Sequence, residues 1–273
     1  MEILDTNQDH EVAHKPIKHY PTYLQSLGLI GIWLIATFGV VLVLMPFMNI
    51  MSGPGMFLSY SISMIITVFT GFTLRKNYHL ELTSFPIGIA IIGSLLMIPL
   101  HIAIDPIVAL FPVPESLKQI MNSIYDNPIA IIATVAIAAP LLEEILFRGI
   151  ILHGLLKNYS ASISIAFSSL LFALIHGNVA QGLGAFLMGL FMGWLYWKTK
   201  SLYLPIILHF INNSISCVGM LIVPKEKIDT NLIDLIANDQ LYYGLVLTSI
   251  IICSTGVLFI RKKYFSEDSF VNS

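Results

Sequence analysis

Two adjacent glutamates, Glu143 and Glu144, lie in a run of the sequence that is otherwise almost wholly apolar, and Arg148 follows four residues after the second. A carboxylate near the middle of a bilayer costs about 2.5–3.5 kcal/mol on insertion scales. Ionisable side chains at such depth usually face a protein interior or a water-filled cavity, and they are candidates for function. The pair of glutamates therefore predicts a buried polar site.

The two glutamates cannot share one role, because consecutive residues of a helix point about 100° apart. Glu144 and Arg148 are four residues apart, so they lie on one helix face and can form a structural ion pair. Glu143 then has no partner on its own helix and is available as a general base or acid. A structural polar cluster of both glutamates with Arg148 is the alternative. Pro140 lacks an N–H and can leave a backbone carbonyl without its donor.

Two later stretches add polar groups at a spacing of four residues, Phe172 to His176 and His209 to Asn213. His209 and Asn213 share one helix face and offer two donors to a single oxygen, as stabilisation of an oxyanion requires. A polar contact between helices is the alternative for this pair. For His176, which ends an apolar run, an interfacial position is the alternative. Asn212 points elsewhere and is expected to be secondary.

Other polar residues are weaker candidates for a site. His153 is expected near a membrane boundary. His101 and Asp105 share a helix face, but Asp105 precedes Pro106 and is interpreted as a boundary residue. The sequence contains no HExxH, GxSxG, Walker glycine loop or CxxC. These absences exclude zincin-type metalloproteases, serine hydrolases with a nucleophile elbow and P-loop enzymes.

The composition is that of a polytopic membrane protein. Of 273 residues, 56% are hydrophobic and only 11% are charged, whereas a soluble domain is about 25% charged. The sequence contains no basic stripe, so a nucleic-acid partner is not expected. The first apolar run begins only near Leu27, and we expect it to be retained as an anchor because a signal peptide has its apolar core closer to the start.

Apolar runs of about 17–25 residues can span a bilayer, and the sequence predicts an all-α bundle of eight spans with both termini on one side. Ten Lys and Arg residues fall on the side of the termini and three on the other, which predicts cytoplasmic termini under the positive-inside rule. The predicted spans are 27–49, 56–74, 86–104, 128–152, 161–177, 181–197, 203–222 and 241–260.

The chain is predicted to have four parts, and the candidate residues fall in the third. Gly189 and Gly193 lie in this part in a GxxxG spacing, which is typical of close helix packing. The predicted parts are a cytoplasmic tail (1–26), three membrane helices (27–126), a catalytic core (127–218), and an outer loop with the last span and a cytoplasmic tail (219–273).

The motifs EExxxR, FxxxH and HxxxN, in this order on successive membrane helices, resemble those of the CPBP family. This family comprises CAAX proteases and bacteriocin-processing proteins, including the type II CAAX prenyl endopeptidases. In this chain the motifs read LLEEILFRG, FALIHG and LHFINNS. The resemblance covers roughly residues 127–218.

The resemblance implies an intramembrane endopeptidase that hydrolyses a peptide bond of a membrane-associated peptide or lipid-associated protein. Glu143 matches the family's catalytic glutamate, which activates water together with the residue that matches His176. His209 and Asn213 match the pair expected to hold the oxyanion. The other two residues of the first motif correspond to the ion pair described above.

The resemblance leaves the metal requirement open, because family names refer to metalloproteases while a metal-free glutamate mechanism is also argued. Glu143, His176 and His209 could hold a single zinc-like divalent ion with an open position for water, or they could act without one. No carboxylate partner is evident for either histidine in the sequence. This favours the metal-free alternative, since metal-bound histidines usually have such a partner.

Two other function classes remain as alternatives. One is a non-catalytic membrane protein that gives immunity to a peptide or serves as a scaffold. The other is a proton-coupled transporter, which would show broken helices in two matching halves, and no such pair is found. The expected location is a bacterial cytoplasmic membrane, and nothing in the sequence indicates whether a substrate is prenylated.

The predicted topology raises a problem of depth within the membrane. At 1.5 Å per residue, His176 lies about 24 Å along the fifth span, whereas His209 lies only about 12 Å into the seventh. A common site requires the fifth helix to begin well below the membrane surface or to tilt strongly.

Overall fold

The structure is a computed structural model that describes residues 19–113, 115–224 and 230–266. Within these residues the chain is helical, with no strand and a single isolated bridge between Leu82 and Ser201, which confirms the all-α prediction. The helices are α1 (Tyr23–Leu44), α2 (Gly53–Arg75), α3 (Ile87–Val108), α4 (Glu115–Asp126), α5 (Pro128–Asn158), α6 (Ala161–Leu174), α7 (Val179–Thr199), α8 (Tyr203–Ile222), α9 (Leu232–Ile236) and α10 (Asp239–Phe265).

Seven of these helices, all except α4, α6 and α9, are long and apolar enough to cross a membrane. The fifth predicted span is the 14-residue helix α6, which is shorter than the 17 residues or so that spanning requires. The number of spans, the side of the termini and the four-part division remain predictions. Parts of both predicted tails and of the outer loop (1–18, 267–273 and 225–229) lie outside the described residues.

Helix α5, which carries the glutamates, is not α-helical throughout. Two π-helical segments, Ala133–Ala138 and Ile145–Leu152, flank an α-helical turn that begins one residue before Pro140. In the first segment the N–H of Ala139 donates to the carbonyl of Thr134. The next donor in this register would be the N–H of residue 140, which proline lacks. The carbonyl of Val135 is therefore left for another donor, and a side chain of α8 supplies it.

Helices α6 and α7 form a hairpin whose close packing depends on glycine. A Cβ atom added to Gly189 would lie 2.8 Å from the Cβ of Ser169, and one added to Gly193 would lie 3.1 Å from Ile165 Cγ2. The GxxxG spacing therefore marks a close helix contact, as predicted. The approach also exposes the carbonyl of Gly189 to Arg148 Nη2, at 3.4 Å.

The depth problem disappears because the turns at this end of the bundle do not lie at one level. Leu202, just before α8, packs beside Gly149, nine residues before the end of α5. The start of α8 is thus set back by about 13 Å from the turn between α5 and α6. His209 lies about 10 Å beyond Leu202, and Glu143 about 9 Å beyond Gly149 in the same direction. Glu143 precedes the α5–α6 turn, and His176 follows it, by similar numbers of residues. The two side chains therefore lie at similar distances from this turn.

The loop between α2 and α3 holds this arrangement from one end. Leu202 donates its N–H to the carbonyl of Glu81 at 2.8 Å, and Thr83 Oγ1 donates to Lys200 O at 2.7 Å. The Glu81 carboxylate lies 3.6 Å from His153 Nδ1, and the nearby His153 lowers the pKa of Glu81. A depressed carboxyl pKa contributes stability at neutral pH that is lost as the pH falls through the lowered value.

Replacement of Gly189 by Ala is expected to destabilise the α6–α7 hairpin. The added methyl would overlap a Cβ atom of Ser169, which cannot move without its backbone. Overpacking of this kind costs about 1–3 kcal/mol, so we expect a lower midpoint of thermal unfolding in detergent. Gly31→Ala is the matched control, because its added Cβ meets no atom within 4 Å. Equal midpoints for the two variants would contradict this account of the packing.

Candidate active site

Four of the residues predicted from the sequence, Glu143, His176, His209 and Asn213, line one cavity of about 720 Å³. The cavity lies between α2, α3 and the helices that carry the motifs, and most of its other lining residues are apolar. Glu143 reaches it with 7% of its surface exposed. The structure therefore brings residues from three separate stretches of sequence to one surface.

The ion pair of the first motif lies behind this surface and is fully buried. Arg148 Nη1 donates to Glu144 Oε1 at 2.8 Å, with 1% and 0% of the two residues exposed. The guanidinium also stacks on the ring of Phe172, with Cζ 4.7 Å from its centroid. Burial of the arginine is thus compensated by a carboxylate and an aromatic face.

Glu144 has a second partner that the sequence did not indicate. His209 Nδ1 lies 2.8 Å from the same Oε1 atom, so the imidazole donates its Nδ1–H to the carboxylate. This contact directs Nε2 of His209 towards Glu143, whose Oε2 lies 3.8 Å away. The interpretation of Glu144 as a partner of Arg148 alone was incomplete, because Glu144 also orients the histidine.

The carboxylate of Glu143 is held by Tyr60, a residue that sequence reasoning missed. Tyr60 lies on α2 and its hydroxyl donates to Glu143 Oε1 at 2.7 Å. A carboxylate accepts at both oxygens, and this bond leaves Oε2 as the oxygen nearer to His209. The sequence offered no signal for Tyr60, which is one of several tyrosines in apolar runs and belongs to no motif.

His176 is positioned by the carbonyl four residues earlier. Its Nδ1 lies 2.8 Å from Phe172 O, so Nδ1 carries the proton and donates, and in the neutral ring Nε2 is the acceptor. The ring of Phe172 contacts the imidazoles of both His176 and His209 edge-on, with centroids 5.2 and 5.7 Å apart. Phe172 of the FxxxH motif therefore packs between the two histidines.

Asn213 is held by a chain of hydrogen bonds. One N–H of its amide donates to Val135 O at 2.8 Å, the carbonyl that Pro140 leaves without a backbone donor. Its Oδ1 accepts from Asn212 Nδ2 at 3.0 Å, and His101 Nε2 lies 2.8 Å from Asn212 Oδ1. The second N–H of Asn213 remains for a ligand.

One expectation about this chain was wrong. Asn212 does not point elsewhere, because it lines the cavity and links His101 to Asn213. Asp105, which was interpreted as a boundary residue, lies three residues before the end of α3 at Val108 and lines the cavity together with His101. The spacing of four residues between these two side chains was the available signal.

The argument that favoured a metal-free site does not hold, because Glu144 is a carboxylate partner of His209. Geometry gives a different test. Among the described residues no three His, Cys, Asp or Glu side chains lie close enough to share an ion. His209 Nε2 and Glu143 Oε2, which face each other in the cavity, lie 3.8 Å apart. The residues as they are arranged do not fit a metal site.

Comparisons with known proteins match the segment that holds the three motifs. The family model for type II CAAX prenyl endopeptidase Rce1-like proteins matches residues 125–215. A candidate membrane peptidase of Bacillus subtilis, YdiL, is 32% identical over 100 residues, covering 37% of this chain and 41% of the relative. The membrane-embedded CAAX protease MroQ of Staphylococcus aureus is 35% identical over 97 residues, covering 33% and 39%.

The matches thus span about two fifths of the length of these relatives, and no solved structure matches the chain. The family resemblance is confirmed over residues 125–215. With its seven long apolar helices and its relatives in two bacteria, the chain is a multi-pass bacterial membrane protein.

Replacement of Glu144 by Gln is expected to reduce the amount of folded protein. It would leave Arg148 buried without a carboxylate, at a cost of about 3–5 kcal/mol. The measurements are the yield of monodisperse protein after detergent extraction and the midpoint of thermal unfolding. Glu143→Gln is the matched control, because a glutamine there still accepts the Tyr60 hydrogen bond. If Glu144→Gln unfolds at the wild-type temperature, the buried pair is not the stabilising contact described here.

Proposed function

We propose that the chain is an intramembrane endopeptidase in which Glu143 activates water for attack on a peptide carbonyl. The observation that carries the proposal is a carboxylate on a cavity wall, held at one oxygen by Tyr60 and facing an imidazole nitrogen at the other. The family match over residues 125–215 supports the same reaction class, as do the two relatives, one named as a membrane peptidase and the other as a CAAX protease.

Glu143 and His176 act on the water. The separation of 3.8 Å between Glu143 Oε2 and His209 Nε2 is too long for a direct hydrogen bond, and one water oxygen or substrate oxygen can bridge it. Glu143 takes a proton from the water as the water oxygen bonds to the carbonyl carbon of the substrate. His176 presents the lone pair of Nε2 to the cavity and accepts the second hydrogen of the water, which orients the attack.

His209 and Asn213 donate to the oxyanion, with one condition on His209. Because its Nδ1–H is given to Glu144, a neutral ring would offer a lone pair at Nε2, and only the imidazolium can donate there. Two carboxylates and one guanidinium leave the buried cluster with an excess negative charge, which an imidazolium at His209 cancels. The free N–H of Asn213 is the second donor. Each such donor contributes about 2.7–4 kcal/mol in comparable sites.

The reaction ends with transfer of the proton from Glu143 to the amide nitrogen of the substrate as the C–N bond breaks. Glu143 is then ionised again, and the carboxylic acid product and the amine leave the cavity. The substrate is a peptide or lipid-associated protein that presents an extended segment from the bilayer, since the cavity lies within the helical bundle and most of its lining is apolar.

Glu143→Gln is expected to lower the rate of peptide cleavage by about 10²–10⁴-fold, the usual contribution of a general base, without loss of folded protein. The measurement compares the N-terminal peptides in membranes that carry the wild type or the variant. Glu115→Gln, which removes an exposed carboxylate outside the cavity, is the control and should cleave normally. Full activity of Glu143→Gln would refute the mechanism, and the absence of any cleavage product with the wild type would favour a scaffold.

Tyr60→Phe is expected to lower kcat by about 10- to 100-fold, because it removes a hydrogen bond to a charged group that is worth about 1.5–3 kcal/mol. Tyr243→Phe, on an exposed tyrosine of α10, is the control. Unchanged activity of Tyr60→Phe would show that this hydrogen bond has no part in the reaction.

A further inference from the structure

Besides the polar region around Glu143 and His209, the cavity has a second polar region at Asp105. Among the described residues that line the cavity, Asp105 and Glu143 are the only ones with a formal charge other than histidine, and no Lys or Arg lines it. The proposed mechanism uses Glu143 but has no role for Asp105. An ionisable side chain that faces a cavity within a membrane protein needs a partner.

The partner of Asp105 found among the described residues is a neutral one. Tyr242 on α10 donates its hydroxyl to Asp105 Oδ2 at 2.8 Å. No ion pair joins Asp105 to a cation of the described residues. Asp105 is half-buried and lines the cavity. An Asn would serve equally well as acceptor for Tyr242, and the charge of Asp105 is left unexplained by this bond.

The two polar regions, at Asp105 and at His209, are separated along the bundle by about the length of three extended residues. Helices α3 and α8 both run away from the bridge between Leu82 and Ser201, and His101 is level with Asn212. Asp105 lies four residues beyond this level and His209 three residues before it, which gives about 10 Å at 1.5 Å per residue. An extended peptide covers this distance in about three residues at about 3.3 Å each.

We propose that Asp105 forms a subsite for a cationic side chain, lysine or arginine, about three residues from the bond to be cleaved. The inference rests on the proposed endopeptidase function and adds a substrate class to it. Ile104, Val108 and Met188 also line the cavity and provide apolar surface for the methylene stem of such a side chain. The substrate thereby supplies the positive charge that the described cavity lining lacks.

The test measures binding separately from cleavage. The probes are synthetic decapeptides of Ala and Leu in which one Lys is moved along the sequence, with matched sets that carry Met or Glu instead. Their affinity is measured by fluorescence anisotropy on the full chain with Glu143→Gln, which removes the competing carboxylate of the cavity. We expect one Lys position to bind at least about tenfold more tightly than its Met counterpart.

Asp105→Asn should abolish this preference while keeping the acceptor for Tyr242, and Asp105→Lys should transfer it to the Glu peptide. Asp239→Asn is the matched control. Asp239 lies near the start of α10, as Tyr242 does, but it is outside the cavity lining. This variant should keep the lysine preference. The thermal midpoints of all variants are compared, and Asp105→Asn alone suffices if Asp105→Lys does not fold.

The two proposals fail in different ways. Equal binding of Lys and Met peptides, or no binding of either, overturns the subsite, whether or not the wild type cleaves them. A lysine preference that depends on Asp105, without any cleavage by the wild type, keeps the subsite and overturns the endopeptidase. If cleavage occurs, we expect it about three residues from the lysine, and a cleavage site that does not move with the lysine also contradicts the inference.

Discussion

The candidate site depends on one buried oxygen atom, Glu144 Oε1, which binds both Arg148 and His209 at 2.8 Å. A buried charge is tolerated only where its partners compensate the loss of solvation. The arginine fixes the carboxylate from its own helix, and the histidine fixes α8 against α5. Removal of this oxygen would leave a buried guanidinium unpaired and an imidazole without direction, so stability and site geometry have one common cause.

A buried backbone group of α5 also needs a partner that compensates its loss of solvation. A carbonyl within a membrane helix must find a donor inside the protein, and Pro140 withdraws one from Val135. The amide of Asn213 supplies it, so the residue proposed to hold the oxyanion also joins α8 to the π-helical part of α5. Such π-helical segments are frequent at functional sites. Here the altered hydrogen-bond register of α5 places the polar side chain of Asn213 at a depth where regular helices would pack apolar side chains.

The sequence predicted the contacts that arise within one helix and missed those between distant helices. Glu144 with Arg148 and Phe172 with His176 are four residues apart, and helical geometry alone brings them together. Tyr60 meets Glu143 across 83 residues, His101 meets Asn212 across 111, and Tyr242 meets Asp105 across 137. No periodicity encodes such pairs. The difference in level between His176 and His209 was overestimated because the turns of the bundle were assumed to lie at one level, which the contact of Leu202 with Gly149 shows to be untrue.

The helices outside the matched segment contribute a different part of the site from those within it. Residues 125–215 contain the glutamates, both histidines and Asn213, so the groups proposed for bond cleavage belong to the shared segment. Tyr60 and His101, from α2 and α3, contact Glu143 and Asn212, and Asp105 lies farther along the cavity, which all three residues line. A relative that shares only the matched segment can therefore keep the reaction and change the charge at the far end of the cavity. Under the proposed subsite, a change in the charge of Asp105 on α3 would alter which peptides are attracted without moving the groups proposed for bond cleavage.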